Sequence, residues 1–344
     1  MECKATLNPK DDLLRFHESG ITMGEFGVGS RGEGDFYTHK KIAEVIGKTG
    51  AVVDSTEFDD SGVVKANSSF IVVTVDGIHS RLSDFPFLAG FHVTRAALRD
   101  IYVMGATPVA IFSDIHLADD GDVSKIFDHI AGISCVSELS GVPFITGSTL
   151  RIGGDMVIGE RMSGCVGAVG ISNEIALRRN AEIGDVILMT EGAGGGTVST
   201  TALYYGEHDV VRETLNIKFL EACKALIEGG IVKEIHAMTD VTNGGIRGDA
   251  NEIAKVAGVK LVFYEEKIRD LVNERVLALL ERHEIDYLGV SIDALLIISP
   301  EDAADDIKKI VRSKNIKIDE IGRVEEGKGA EIVINGKREK FVPK

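Results

Sequence analysis

The chain has 344 residues, with 38 Lys+Arg against 54 Asp+Glu and a formal net charge of −16. That length suits two domains of about 150 residues each, and each can bury a core without disulfide or metal staples. The acidic balance excludes a nucleic-acid binder and a basic membrane-surface protein, and no apolar run approaches the roughly 18 residues of a membrane span.

The first residues lack the apolar core of a secretion signal, and Cys3, Cys135, Cys165 and Cys223 form no CxxC pair. Both features fit a cytoplasmic protein with reduced thiols, in which Cys135 and Cys165 read as buried small hydrophobes.

Residues 1–35 read as a glycine-rich, mobile segment, with Gly27, Gly29, Gly32 and Gly34 in a cluster too flexible for an element interior. Ile42, Val45 and Ile46 on one side predict a helix over 36–49. Strands are expected at 63–64, 70–75, 108–116, 142–146, 156–158 and 165–170, and helices at 90–102 and 123–140. A polar stretch at 172–185 with one short helix marks a domain boundary. A strand at 186–190 and a second glycine cluster at 192–200 follow, then helices near 198–206, 216–228, 246–257, 270–283 and 301–313. Further strands are expected at 294–299 and 331–334. Alternating strands and helices give an α/β protein with domains at 36–172 and 183–338.

Gly27-Val-Gly29-Ser-Arg-Gly32 matches GxGxxG, but no buried strand precedes it, so a dinucleotide oxidoreductase is a minor alternative. The 192–200 cluster lacks the GK[ST] of a P-loop, which leaves a phosphate cradle or a tight strand-to-helix turn. Asp119-Asp120-Gly-Asp122 has no Glu at the twelfth position of a calcium loop and reads as a solvated turn.

Asp59, Asp60, Asp76, Asp100 and Asp240 stand at strand or helix ends beside small residues. A buried carboxylate there is costly unless paired or holding a metal, and magnesium favours carboxylate oxygens and brings nucleotide phosphates with it. Each aspartate taken singly is also an ordinary cap or turn residue.

Together these segments resemble the aminoimidazole ribonucleotide synthase, or PurM-like, superfamily, from about Gly27 to Gly322. Asp59-Asp60-Ser-Gly-Val is similar to its DDAAV element, Thr74-Val-Asp76-Gly77 to its TTDG strand end, and Arg99-Asp100-Ile-Tyr-Val-Met-Gly105-Ala106 to its aspartate-bearing helix. Met238-Thr-Asp240-Val-Thr242 resembles the MTDVT of selenophosphate synthetases, and Gly244-Gly245 a HypE-like ending.

The resemblance implies ATP and Mg2+ as cofactors, with Asp59, Asp60, Asp76, Asp100 and Asp240 as metal ligands. It places Gly27, Gly29, Gly32, Gly34, Thr74, Asp76, Gly147, Thr149 and Asn243 on the nucleotide. It also implies a homodimer with a β-barrel shared between N-terminal domains, an α/β C-terminal domain, and phosphoryl transfer to a small oxygen, amide or selenide-like acceptor. Two departures stand out. Ser148 replaces the acid of the GGDT element, and the sequence given ends Phe341-Val-Pro-Lys344 without the terminal Cys of HypE. The Ser148 departure makes a non-catalytic nucleotide-binding accessory protein the main alternative.

Overall fold

The computed structural model describes residues 20, 22, 25, 33–153, 161–242 and 244–343, with 33–36 and 80 described by backbone alone. Gly27, Gly29, Gly32, Asn243 and the expected strand at 156–158 lie outside the described residues. So does most of the 1–35 segment.

Helix α1 (Glu33–Ile46) leads to a five-stranded sheet. Its strands are β1 (Gly62–Ala66), β2 (Ser69–Gly77), β3 (Thr107–Ala118), β4 (Phe144–Ile152) and β5 (Ser163–Ser172), in the order β1-β2-β5-β3-β4. A two-residue turn joins β1 to β2, with Asn67 in the left-handed region at φ 56°. Only β3 and β4 run parallel, and the return passes through α3 (Ser124–Ser140).

Helix α2 (Pro86–Val103) starts with proline in its first turn, where the missing N–H costs nothing. It packs on α3 so closely that a Cβ at Gly132 would lie 2.2 Å from the Phe87 carbonyl oxygen. The helices cover one face of the sheet and leave the other bare: Val64, Val73, Val75 and Ile171 there are exposed.

The second sheet has seven strands in the order β12-β11-β8-β10-β6-β9-β7. They are β6 (Val186–Thr190), β7 (Ala237–Asp240), β8 (Lys260–Tyr264), β9 (Leu295–Ser299), β10 (Ile318–Glu325), β11 (Gly329–Ile334) and β12 (Lys337–Lys340). Around them lie α4 (Gly196–Tyr204), α5 (His208–Thr214), α6 (Lys218–Glu228), α7 (Gly245–Ala257), α8 (Glu265–Arg269), α9 (Glu274–Arg282) and α10 (Ala304–Arg312).

The central strands are continuous apolar runs because both faces are covered. Leu188 and Leu295 enter a cluster with Leu98, Ile101 and Val166 of the first half, while Ile187 and Leu296 enter a second cluster with Ile246 and Phe263. One core therefore runs through both halves.

Several boundaries differ from expectation. The strand expected at 142–146 lies at Phe144–Ile152. The helix expected over 270–283 is α9, which starts later, at Glu274, and the short α8 ends before the expected range begins. Asn273 sets that start because its side chain accepts hydrogen bonds from the Arg275 and Val276 amides. Among the described residues, Cys135 and Cys165 are half-buried and Cys223 is the buried thiol.

Candidate functional site

Asp60, Asp100 and Asp240 come from three elements. Asp60 precedes β1, after Phe58 in a left-handed backbone conformation. Asp100 lies on α2, and Asp240 ends β7. One carboxylate oxygen of each lies within 4.8 Å of the others.

Three anions this close repel, so each is held by neighbours. The Thr74 hydroxyl donates to Asp100 Oδ2 at 2.9 Å, and Ser61 donates to the Asp100 carbonyl at 2.8 Å. Arg178 Nη2 donates to Asp60 Oδ1 at 2.6 Å and to Thr239 Oγ1 at 2.6 Å, and its Nη1 donates to Glu252. Arg99 Nε lies 3.1 Å from Asp240 Oδ2.

Burial, then the charges of Asp240, Asp76 and Asp60, push the Asp100 carboxyl well above the ordinary range, against the pull of Arg99. Neither Asp240 oxygen accepts a hydrogen bond of good geometry from a described residue. Crowded oxygens, one carboxyl driven toward its neutral form and another left with an ion pair but no well-aligned donor describe a donor set suited to a hard divalent cation.

Asp100 and Asp240 of the cluster open onto a cavity of about 460 Å³ between the halves. Asp76, Asp100 and Asp240 line one side, and His79 with Gly195, Gly196 and Thr197 line another. The glycine cluster makes a tight turn between β6 and α4: Gly194 has φ +82°, and a Cβ at Gly192 would meet the Ile292 carbonyl oxygen at 2.3 Å. Its far end presents bare backbone to the cavity. His92 beneath it is buried, and burial followed by Arg95 and Arg99 keeps it neutral. Its Nε2 lies 2.8 Å from the Ser199 hydroxyl on α4.

The other expected residues are dispersed. Asp76 lines the cavity but is outside the close triad. Asp59 lies beside Asp60 against the bare face of the first sheet; burial raises its carboxyl against Arg178. Gly147 and Thr149 are on the edge strand β4, as is Ser148, whose register partner on β3 is Asp114. Gly34 is in α1, the helix that also places His39 on the cavity.

Two residues not singled out from sequence hold the site. Arg178 comes from a single 3-10 turn in the polar connection. Asp293 sits before β9 and pairs with both Arg95 and Arg99. Its one signal was an acid directly before an apolar run, the pattern that marked the other aspartates.

Comparison with known proteins agrees with this geometry. The chain matches the AIR synthase related protein N-terminal domain over residues 58–171 and the C-terminal domain over 182–335. The chain belongs to the AIR synthase-related, PurM-like superfamily. An uncharacterized protein of Methanocaldococcus jannaschii is 59% identical over 330 residues, 95% of this chain and 72% of that protein. A selenide, water dikinase of Clostridium botulinum is 28% identical, over 61% of this chain and 59% of its own length. A thiamine-monophosphate kinase of Pyrococcus horikoshii is 28% identical over 82% of this chain and 87% of its own length.

Among solved structures, the HypE–HypF complex aligns with TM-score 0.73 and 19% identity, over 89% of this chain and 99% of that one. AaThiL complexed with AMPPCP and TMP aligns with TM-score 0.70 and 21% identity, over 92% and 97%. At these identities the structures speak to the fold. No described helix is long and apolar enough to cross a membrane.

Proposed function

We propose that this protein is an ATP- and Mg2+-dependent phosphoryl-transfer enzyme that activates a small oxygen or amide acceptor in the cavity between its domains. The observation that carries this reading is the convergence of Asp60, Asp100 and Asp240 within 4.8 Å, with Asp100 and Asp240 at the cavity wall. Relatives named as a kinase and a dikinase support it.

Asp60, Asp100 and Asp240 would hold Mg2+, with Asp76 beside them. Bound there, the ion supplies charge neutralisation for nucleotide phosphates. The chain's own residues do the positioning: Arg178 fixes Asp60, Thr74 fixes Asp100 and Arg99 stands against Asp240. Gly195 and Gly196 leave room for a ligand to approach the backbone. We place the protein in the cytoplasm as a homodimer joined through the bare face of the first sheet.

ADP release by the pure protein, with ATP, Mg2+ and fractions of small metabolites, tests the reading. Acceptor-dependent release that is lost in Asp60→Asn is the expected result. Tight ATP binding without release in any fraction would instead support the accessory role suggested by Ser148. The family assignment speaks against a dinucleotide oxidoreductase.

A further inference from the structure

Helix α2 sends two arginines, one turn apart, into the second domain. The Arg95 side chain is 1% exposed and that of Arg99 7%. Arg95 Nη1 lies 3.0 Å from Asp293 Oδ2, and Arg99 Nη1 donates to Asp293 Oδ1. Arg99 Nε faces Asp240 Oδ2, so Asp293, Arg95, Arg99 and Asp240 form a buried quartet of two positive and two negative charges.

Asp293 also has a backbone that resists its own side chain, with φ +56° at a non-glycine residue. Its amide donates to the Val241 carbonyl at 3.3 Å, and the Val241 amide donates to the Ala294 carbonyl at 2.9 Å. This pairing puts Asp293 beside the end of β7, which carries Asp240. A strained, buried carboxylate persists where its surroundings require it.

The charge count shows what it is required for. Without Asp293, Arg95 would keep the Thr214, Asn216 and Gly194 carbonyls, leaving its positive charge uncompensated nearby, and Arg99 would be free to give both donor edges to the carboxylate that the cation needs. We infer that Asp293 is a positioning residue: by engaging Arg95 and Arg99 it keeps Asp240 available to a divalent cation, and so couples docking of α2 to cation binding. This rests on the reading of Asp60, Asp100 and Asp240 as cation ligands.

Mn2+ binding, followed by the loss of the free-ion paramagnetic resonance signal without nucleotide or turnover, is the test. Asp293→Asn removes the charge while tolerating the left-handed backbone, and Asp293→Gly removes both the charge and the strain. Both variants are expected to bind Mn2+ about tenfold more weakly than the wild type, as a net positive charge beside the ligands would dictate. Wild-type affinity in either folded variant would overturn the inference, as would loss of the folded state in both, which would make Asp293 a folding residue. If the wild type itself binds no Mn2+, the triad reading fails first.

Discussion

Asp60 and Asp240 come from different halves of the chain and bring a carboxylate oxygen each within 4.8 Å, so a ligand that bridges them should need both. Mg-ATP is expected to raise the melting temperature, since a ligand bound only by the native state stabilises it by about 2.7 kcal/mol at a hundred times its Kd. Asp60→Asn and Asp240→Asn should each remove most of that shift in a thermal-melt assay. The apo proteins should stay folded, because Arg178 keeps Glu252 and Arg99 keeps Asp293. An undiminished shift in both variants would take these residues out of the site. Asp60 and Asp240 were legible in sequence because each is an acid at an element end beside Ser or Thr, whereas Asp100, within α2 between Arg99 and Ile101, was legible through the family resemblance. Arg178 and Asp293 were not singled out. Their importance comes from partners 118 positions away for Arg178 (Asp60) and 194 for Asp293 (Arg99), and no local pattern encodes such a pairing.

The packing of α2 on α3 supplies two further tests. Gly132→Ala would gain about 1 kcal/mol of helix propensity but must displace a backbone carbonyl, an overpacking cost of about 1–3 kcal/mol or more. Because backbone cannot swing aside as a side chain can, sterics should win and chemical denaturation should show net destabilisation. His129, in the same contact, is held by burial well below the ordinary 6.5, at about 4, despite the Pro86 carbonyl near its Nδ1. A histidine with a depressed folded value binds its proton more readily when unfolded, so stability falls as pH drops from about 6.5 toward 4 and is complete above that window. The loss is at most about 3 kcal/mol. It should be absent in His129→Gln, whose pH profile read by urea denaturation would be flatter there. Elements of the first sheet were readable because their strands are long and β-branched. In the second sheet β7, β8, β10 and β12 were not. A bulge between Glu320 and Gly322 breaks the alternation of β10, and β12 is the fully exposed sequence Lys-Arg-Glu-Lys with no apolar face at all.

The molecule as a whole leaves Val64, Val73, Val75 and Ile171 on an uncovered sheet face, where Val75 is 62% exposed. A row of that kind on a folded domain marks an association surface. Light scattering should therefore give twice the 37.0 kDa chain mass, and Val73→Lys with Val75→Lys should return it to the single-chain value. A wild-type monomer at micromolar concentration would rule this surface out. Within one chain, Leu98 and Ile101 share their apolar cluster with Leu188 and Leu295 across the two sheets. Any hinge that opened the cavity would tear that cluster apart and wet it, at about 25 cal/mol per Å². A ligand must then enter a mouth of fixed width, and the pace of its entry falls to side chains and short segments at the rim. Scanning calorimetry should show both sheets melting in one transition. Small-angle scattering should give the same radius of gyration with and without Mg2+ and a non-hydrolysable ATP analogue, as expected of a rigid vessel and not of a closing jaw.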